Sequence, residues 1–168
     1  MDSTPLVHSR YVVFLRGISN VPMQPFRQAL PDIGLDDVVS FGGTGNLIFS
    51  SDETDRARLE QRIEAAVGVD AFVRSRDELQ AVVAGDPFLG RAGAAVLFMH
   101  APPDQDRASS LLAGEFQRER PVISDSQVYF MHPLQRPGRR SIIDLERELG
   151  VRGTMRASRV VARVLTLM

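Results

Sequence analysis

Apolar residues alternate between two spacings along this chain, and the alternation predicts its elements. Tyr11–Leu15 (YVVFL) is a short β-branched and aromatic run bounded by polar residues, the pattern of a buried strand. Pro22–Leu30 places Met23, Phe26 and Leu30 on one face, which predicts a helix that Pro31 ends or distorts in its last turn. Val38–Phe41 and Leu47–Ser50 read as strands on either side of GGTGN. Thr54–Val67 carries Leu59, Ile63, Ala66 and Val67 at helical spacing, and Gly68 is its C-terminal cap. The acidic residues Asp52, Glu53 and Asp55 favour the positive start of that helix. Ala71–Arg74 is a further strand. Ser75 then opens a capping box with Glu78, leading into a helix with Leu79, Val82 and Val83.

The second half repeats the theme. Ala95–Met99 (AVLFM) is a strand, and a helix follows within Pro103–Phe116, with Asp104 as N-cap and Leu111, Leu112 and Phe116 inward. Val122–Ile123 and Gln127–Met131 form a hairpin around Ser124–Ser126. Ser141–Leu149 is a helix with Ile142, Leu145 and Leu149 on one face, capped by Gly150. Thr154 is expected to cap a last helix whose apolar face is Val160, Val161, Val164 and Leu165. The first half thus reads βαββαβ plus a helix, and the second βαββα plus a helix. The expected fold is α+β, two ferredoxin-like (split βαβ) halves with mainly antiparallel sheets and packed helices. The boundaries are a flexible tail over 1–9, a first half over 10–84, a Gly- and Pro-rich linker over 85–93, and a second half over 94–168.

Composition then removes several chemistries. The 168 residues include no Cys, which excludes disulfides, thiolate nucleophiles and Cys-zinc sites. All 20 basic residues are Arg, so Schiff-base chemistry and a P-loop lysine are excluded as well. The three His lack metal-ligand spacing, and neither a metal nor a cofactor is expected. The start MDSTPLVHSR has no signal-peptide pattern and no apolar run has the length of a membrane span, so a cytoplasmic protein without a membrane partner is expected. Net charge is -1, but it is unevenly placed. Asp32–Asp70 holds nine acids against three Arg, and Arg136–Arg163 holds eight Arg against three acids. The two regions can pair within one molecule or across a homodimer. The basic one can instead meet phosphates or nucleic acid, although no aromatics interleave there for base stacking.

GGTGN raises the question of a phosphate loop. Such loops precede a helix, whose N-terminus faces the anion. Here a strand follows, so a hairpin turn is expected, with Gly and Asn46 supplying positive φ; the alternative is an anion-binding backbone nest.

The motifs FLRG, VPM, TGN-x-x-FSS, DPF and LG-x-x-GT-x-R occur in that order. Together they resemble the domain-of-unknown-function 1697 (DUF1697) family, whose members carry LLRGINVGG…VPM, Y-x-Q-SGN-x-x-F, NPF, R-S-K-L and LG-x-x-GT-x-RNWNT. The resemblance runs from Arg10 to Met168 and implies an α+β fold with no assigned activity. Arg16, Gly17, Pro22, Met23, Gly45, Asn46, Pro87, Phe88, Ser141, Gly153, Thr154 and Arg156 match its motifs. Asp86 replaces Asn, Ile142 replaces Lys, and Ala157, Ser158 and Arg159 replace Asn-Trp-Asn.

Five of these residues are the candidate ligand site. Arg16, at a strand end, can grip a carboxylate or phosphate in bidentate fashion, or form a structural ion pair. Asn46 can hold a ligand or cap a turn. Ser141 can act as a nucleophile, or pair locally with Asp144. Thr154 can contact a ligand or cap the last helix. Arg156 opposes that helix's dipole unless an anion compensates. The expected function is a binding module for a small anionic or phosphorylated ligand, with nucleic acid weakly supported. The alternatives are a hydrolase or phosphoryl-transfer enzyme using Ser141 or a bound water, and an interaction or scaffold protein without a pocket.

Overall fold

Tyr11–Leu15 is apolar at every position because both of its faces are withdrawn from water. A strand so placed must have its backbone N–H and C=O groups matched on both edges, since burying them unpaired is costly. The computed structural model, which describes residues 8–114, 119–132 and 142–168, shows how this is met. Strand β1 (Ser9–Leu15) lies between β3 (Asn46–Ser51) and β4 (Ala71–Ser75), antiparallel to both. Strand β2 (Asp36–Ser40) pairs with β3, giving the order β2-β3-β1-β4. Helices α1 (Gln24–Asp32) and α2 (Arg56–Val67) cover one face. Met23, Leu30, Leu59 and Ile63 meet Tyr11, Val13, Leu15, Leu47, Phe49 and Val73 there in one apolar cluster. Helix α3 (Arg76–Ala84) follows β4 without a break.

The second unit repeats the arrangement. Strand β5 (Ala94–Met99) lies between β7 (Gln127–Met131) and β8 (Gly153–Ala157), with β6 (Val122–Ser124) outside β7. Helices α4 (Gln105–Ala113) and α5 (Ile142–Leu149) contribute Leu111, Leu145 and Leu149 to a cluster with Ala95, Leu97, Met99, Val128 and Phe130. Helix α6 (Ser158–Leu167) follows β8 directly. The two compact units are the described residues up to Gln80 with Val164–Met168, and Ala81–Arg163. The 85–93 segment lies within the second.

The repetition extends to single hydrogen bonds. Glu64 on α2 accepts from the Ala71 N–H that opens β4 (3.0 Å), and Glu146 on α5 accepts from the Gly153 N–H that opens β8 (2.7 Å). Leu15 N–H donates to Gly45 O (2.9 Å) where Met99 N–H donates to Ser126 O (2.8 Å). Arg74 stands opposite Val12, and Arg156 opposite Val96. Both are buried, and each donates from Nη1 to the carbonyl of the residue before it at 2.8 Å.

Several local expectations hold. Ser75 and Glu78 exchange capping-box bonds (3.1 and 3.0 Å), and Asp104 accepts from Asp106 and Arg107 N–H. Gly68 adopts φ +77° after α2. Asp55 is the N-cap of α2, accepting from Arg58 N–H. Just upstream, the Asp55 N–H bond to its carboxylate holds Glu53 below the usual range.

Four details differ from the sequence reading. Helix α1 includes Pro31 and runs to Asp32, because Leu30 still accepts from Ile33 N–H and Pro31 from Gly34 N–H. Leu112 is exposed, and Phe116 lies outside the described residues. In the β2–β3 turn only Gly42 and Gly45 take positive φ; Gly43 and Asn46 do not. Most consequentially, Gly153–Ala157 is a strand and α6 begins only at Ser158. Pairing with β5 along its whole length overrides the weak strand preference of GTMRA. The order of the second half is therefore βαββαβ plus a helix.

Gly45→Ala is expected to cost about 2–4 kcal/mol, through overpacking added to backbone strain. Its methyl would sit 2.8 Å from Leu15 Cβ at φ +83°. Gly43→Ala, with nothing within 4 Å, is the neutral control in the same urea titrations. A second expectation concerns Tyr129, whose hydroxyl donates to Val82 O at 2.8 Å. Burial, with Asp86 adding to it, pushes this phenol from 10.0 up to about 12. The unfolded chain therefore ionises first, and stability falls as pH rises from 10 towards 12. Tyr129→Phe should lose about 1 kcal/mol at neutral pH yet decline less steeply above pH 10 in melts taken across that range.

Candidate functional site

The motif residues of the first unit are drawn together by the β1–β3 pairing. Phe14 stands opposite Asn46, and the Leu15–Gly45 hydrogen bond ties the FLRG strand end to the TGN turn. Arg16 follows at the end of β1, half-buried, with its backbone N–H donating to Asp70 O (2.9 Å). Gly17 and Gly43 have open space where a Cβ would stand. Asn46 is 1% exposed. Its Nδ2 donates to Phe41 O (3.0 Å) and Thr44 Oγ1 (3.2 Å). Phe41 N–H donates to Asn46 O in turn (3.0 Å). The asparagine thus braces the glycine turn across its neck, which is the turn-capping alternative. GGTGN is a hairpin connection between β2 and β3.

In the second unit Thr154 and Arg156 lie on β8, not at a helix start. Thr154 therefore caps no helix, and the dipole argument does not apply to Arg156. They are two residues apart on a strand, so their side chains share a face. Arg156 Nη1 donates to Thr154 Oγ1 at 2.8 Å. Both are nearly buried, and desolvation lowers the Arg156 guanidinium from 12.5 to about 10. A cation withdrawn from water needs each of its acceptors, so Thr154 has a structural task. Ser141 lies outside the described residues. The structure thus brings Arg16 close to Asn46 in one unit and Thr154 to Arg156 in the other.

Two residues escaped the sequence reading. Arg91 and His132 border a cavity of the second unit, together with Arg159. Arg91 fell in a segment read as a linker, His132 looked isolated, and only folding brings them together. The arginine excess over Arg136–Arg163 contained only Arg159 of these three, so the sequence carried no signal for Arg91 or His132.

Two antiparallel four-stranded sheets, ordered β2-β3-β1-β4 and β6-β7-β5-β8 and each with helices on one face, define an α+β protein of two ferredoxin-like units. The family model described as protein of unknown function (DUF1697) matches residues 8–129, and the chain belongs to that family. It is similar to a solved structure titled as that of the conserved bacterial protein SP0830 from Streptococcus pneumoniae. That match has 20% identity and a TM-score of 0.69, over 95% of this chain and 98% of that chain. At this identity the likeness speaks for the fold. No curated protein matches the chain. Among the described residues no helix is long and apolar enough to cross a membrane.

Thr154→Val should destabilise the protein by about 1–3 kcal/mol, because a buried charged donor loses an acceptor. Urea unfolding measures this. An unchanged midpoint would show that the Thr154–Arg156 bond does not hold the strand.

Proposed function

We propose that this protein is a binding module for a small anionic or phosphorylated ligand, with Arg16 as the principal contact. The observation that supports this is the meeting of two sequence motifs at one end of the first sheet. Residues about thirty positions apart, Leu15 and Gly45, are hydrogen-bonded together there, and half-buried Arg16 is the next residue in the chain after Leu15. A guanidinium presents a fixed fork of donors that matches the oxygens of a carboxylate or phosphate. The absence of side chains at Gly17 and Gly43 leaves space for a ligand to approach the backbone.

Asn46 serves this reading by holding the turn in shape, and Thr154 and Arg156 by holding β8. The proposed contact set is therefore narrower than the five residues selected from sequence. The hydrolase reading needs a general base beside Ser141, and no described contact favours it. Stacking of single-stranded nucleic acid would use aromatic platforms among the C-terminal arginines, and the sequence has none there.

Titration with inorganic phosphate and pyrophosphate, followed by the amide signals of Gly43 and Gly45, tests the reading. Arg16→Ala should weaken binding by about tenfold or more, as a hydrogen bond to a charged group contributes about 1.5–3 kcal/mol. Equal affinity in the variant would sink the assignment.

A further inference from the structure

A separate cavity of about 420 Å³ lies wholly within the second unit. Its walls come from three strand ends. The segment Gly90–Gly93 leads into Ala94 and Ala95 at the start of β5; Met155 and Ala157 belong to β8; His132 follows β7. Arg159 closes the ring from the first turn of α6. His132 is tied in place, since its backbone N–H donates to Gly93 O at 2.6 Å. Its ring lies 6.5 Å from that of Phe130.

The chemistry of the lining is one-sided. Two arginines and a histidine border the cavity, and none of its lining residues is acidic. Among the described residues, no ion pair joins Arg91 or Arg159 to a carboxylate. The remaining side chains, alanines and a methionine, are apolar. Gathering cations in one concavity is unfavourable without a counter-charge, and the helix position of Arg159 adds to the imbalance. A positive side chain in the first turn opposes the macrodipole, whereas an anion there is stabilised by it. The sequence attached that conflict to Arg156. With β8 occupying Gly153–Ala157, the residue that actually stands at the helix start is Arg159.

We infer that this cavity binds a small molecule combining one oxyanion, carboxylate or phosphate, with a compact apolar body. Arg91, Arg159 and His132 receive the oxyanion at the rim, and Ala95, Met155 and Ala157 receive the apolar part. The volume falls within the range of about 300–1,000 Å³ typical of small-molecule sites. The inference does not depend on the Arg16 site, which belongs to the other unit.

The test is an NMR titration of the full chain with phenyl phosphate, benzoate, inorganic phosphate and benzylamine. The reporters are the Met155 methyl and the amides of Gly93 and Ala95. Phenyl phosphate or benzoate should shift them, and comparison of the two tells which oxyanion the site prefers. Inorganic phosphate should bind more weakly, lacking an apolar body, and benzylamine should not bind. The double variant Arg91→Gln/Arg159→Gln should weaken binding about tenfold or more. Both side chains are exposed, so its urea midpoint should match the wild type. Arg16→Ala should leave these shifts intact, while its own effect is read at Gly43 and Gly45. The inference is overturned if neither aromatic anion shifts the reporters, if benzylamine shifts them equally, or if the double variant binds as tightly as the wild type.

Discussion

Burial of the two central strands on both faces is the constraint on which the rest of this structure depends. Every residue from Tyr11 to Leu15, and every residue of β5, is withdrawn from water. A backbone so placed cannot turn to solvent for hydrogen bonds, so it must have a strand on each side. It must also have side-chain layers above and below. The split βαβ topology satisfies the first demand with β3 and β4, and with β7 and β8. Helices α1, α2, α4 and α5 supply one of the layers. The glutamates of α2 and α5 extend the same logic to the edge strands, because each satisfies the first N–H of the strand that follows its helix.

Repetition of the arrangement in the two units gives these details weight. A feature needed by only one unit has no reason to recur in the other, yet the glutamate-to-strand bond and the buried arginine do recur. So does the bond that joins the central strand to the turn before its neighbour. Arg74 and Arg156 take the same ladder position opposite a valine, and each bonds the carbonyl of the preceding residue. They are parts of the framework. Much of what the family motifs encode here is likewise architectural. Gly45 lets Leu15 and Ile18 approach, Asn46 braces a turn, and Gly153 admits β8 against Leu97 and the Phe98 carbonyl.

Two pairs of arginines contrast: one pair is enclosed, the other exposed. Arg74 and Arg156 are enclosed and serve the strands on which they lie. Arg91 and Arg159 project at the rim of a concavity whose lining has no acid. With no lysine in the chain, every such position carries a planar, strongly basic fork. An arginine's role therefore follows from its burial and neighbours rather than from its identity.

Local chemistry made much of the fold legible in the sequence. The YVVFL and AVLFM runs, the Ser75–Glu78 capping box, the Asp104 cap and the glycine hairpin each follow from interactions within a few residues. The order of elements followed from them, and with it the ferredoxin-like class. Two things required the tertiary structure. One was β8, since GTMRA has little strand preference of its own and becomes a strand only when β5 offers it a ladder. The other was the grouping of polar residues. Asn46 and Thr154 each have two readings in the sequence, and only the folded sheets bring Phe41 and Arg156 to them as hydrogen-bond partners. Arg91, His132 and Arg159 looked unrelated because the ends of β5, β7 and β8 bring them together from positions far apart in the chain. A sequence determines directly what its neighbouring residues can settle among themselves. Which distant side chains share a cavity depends on the register of strands, and register is a property of the folded sheet.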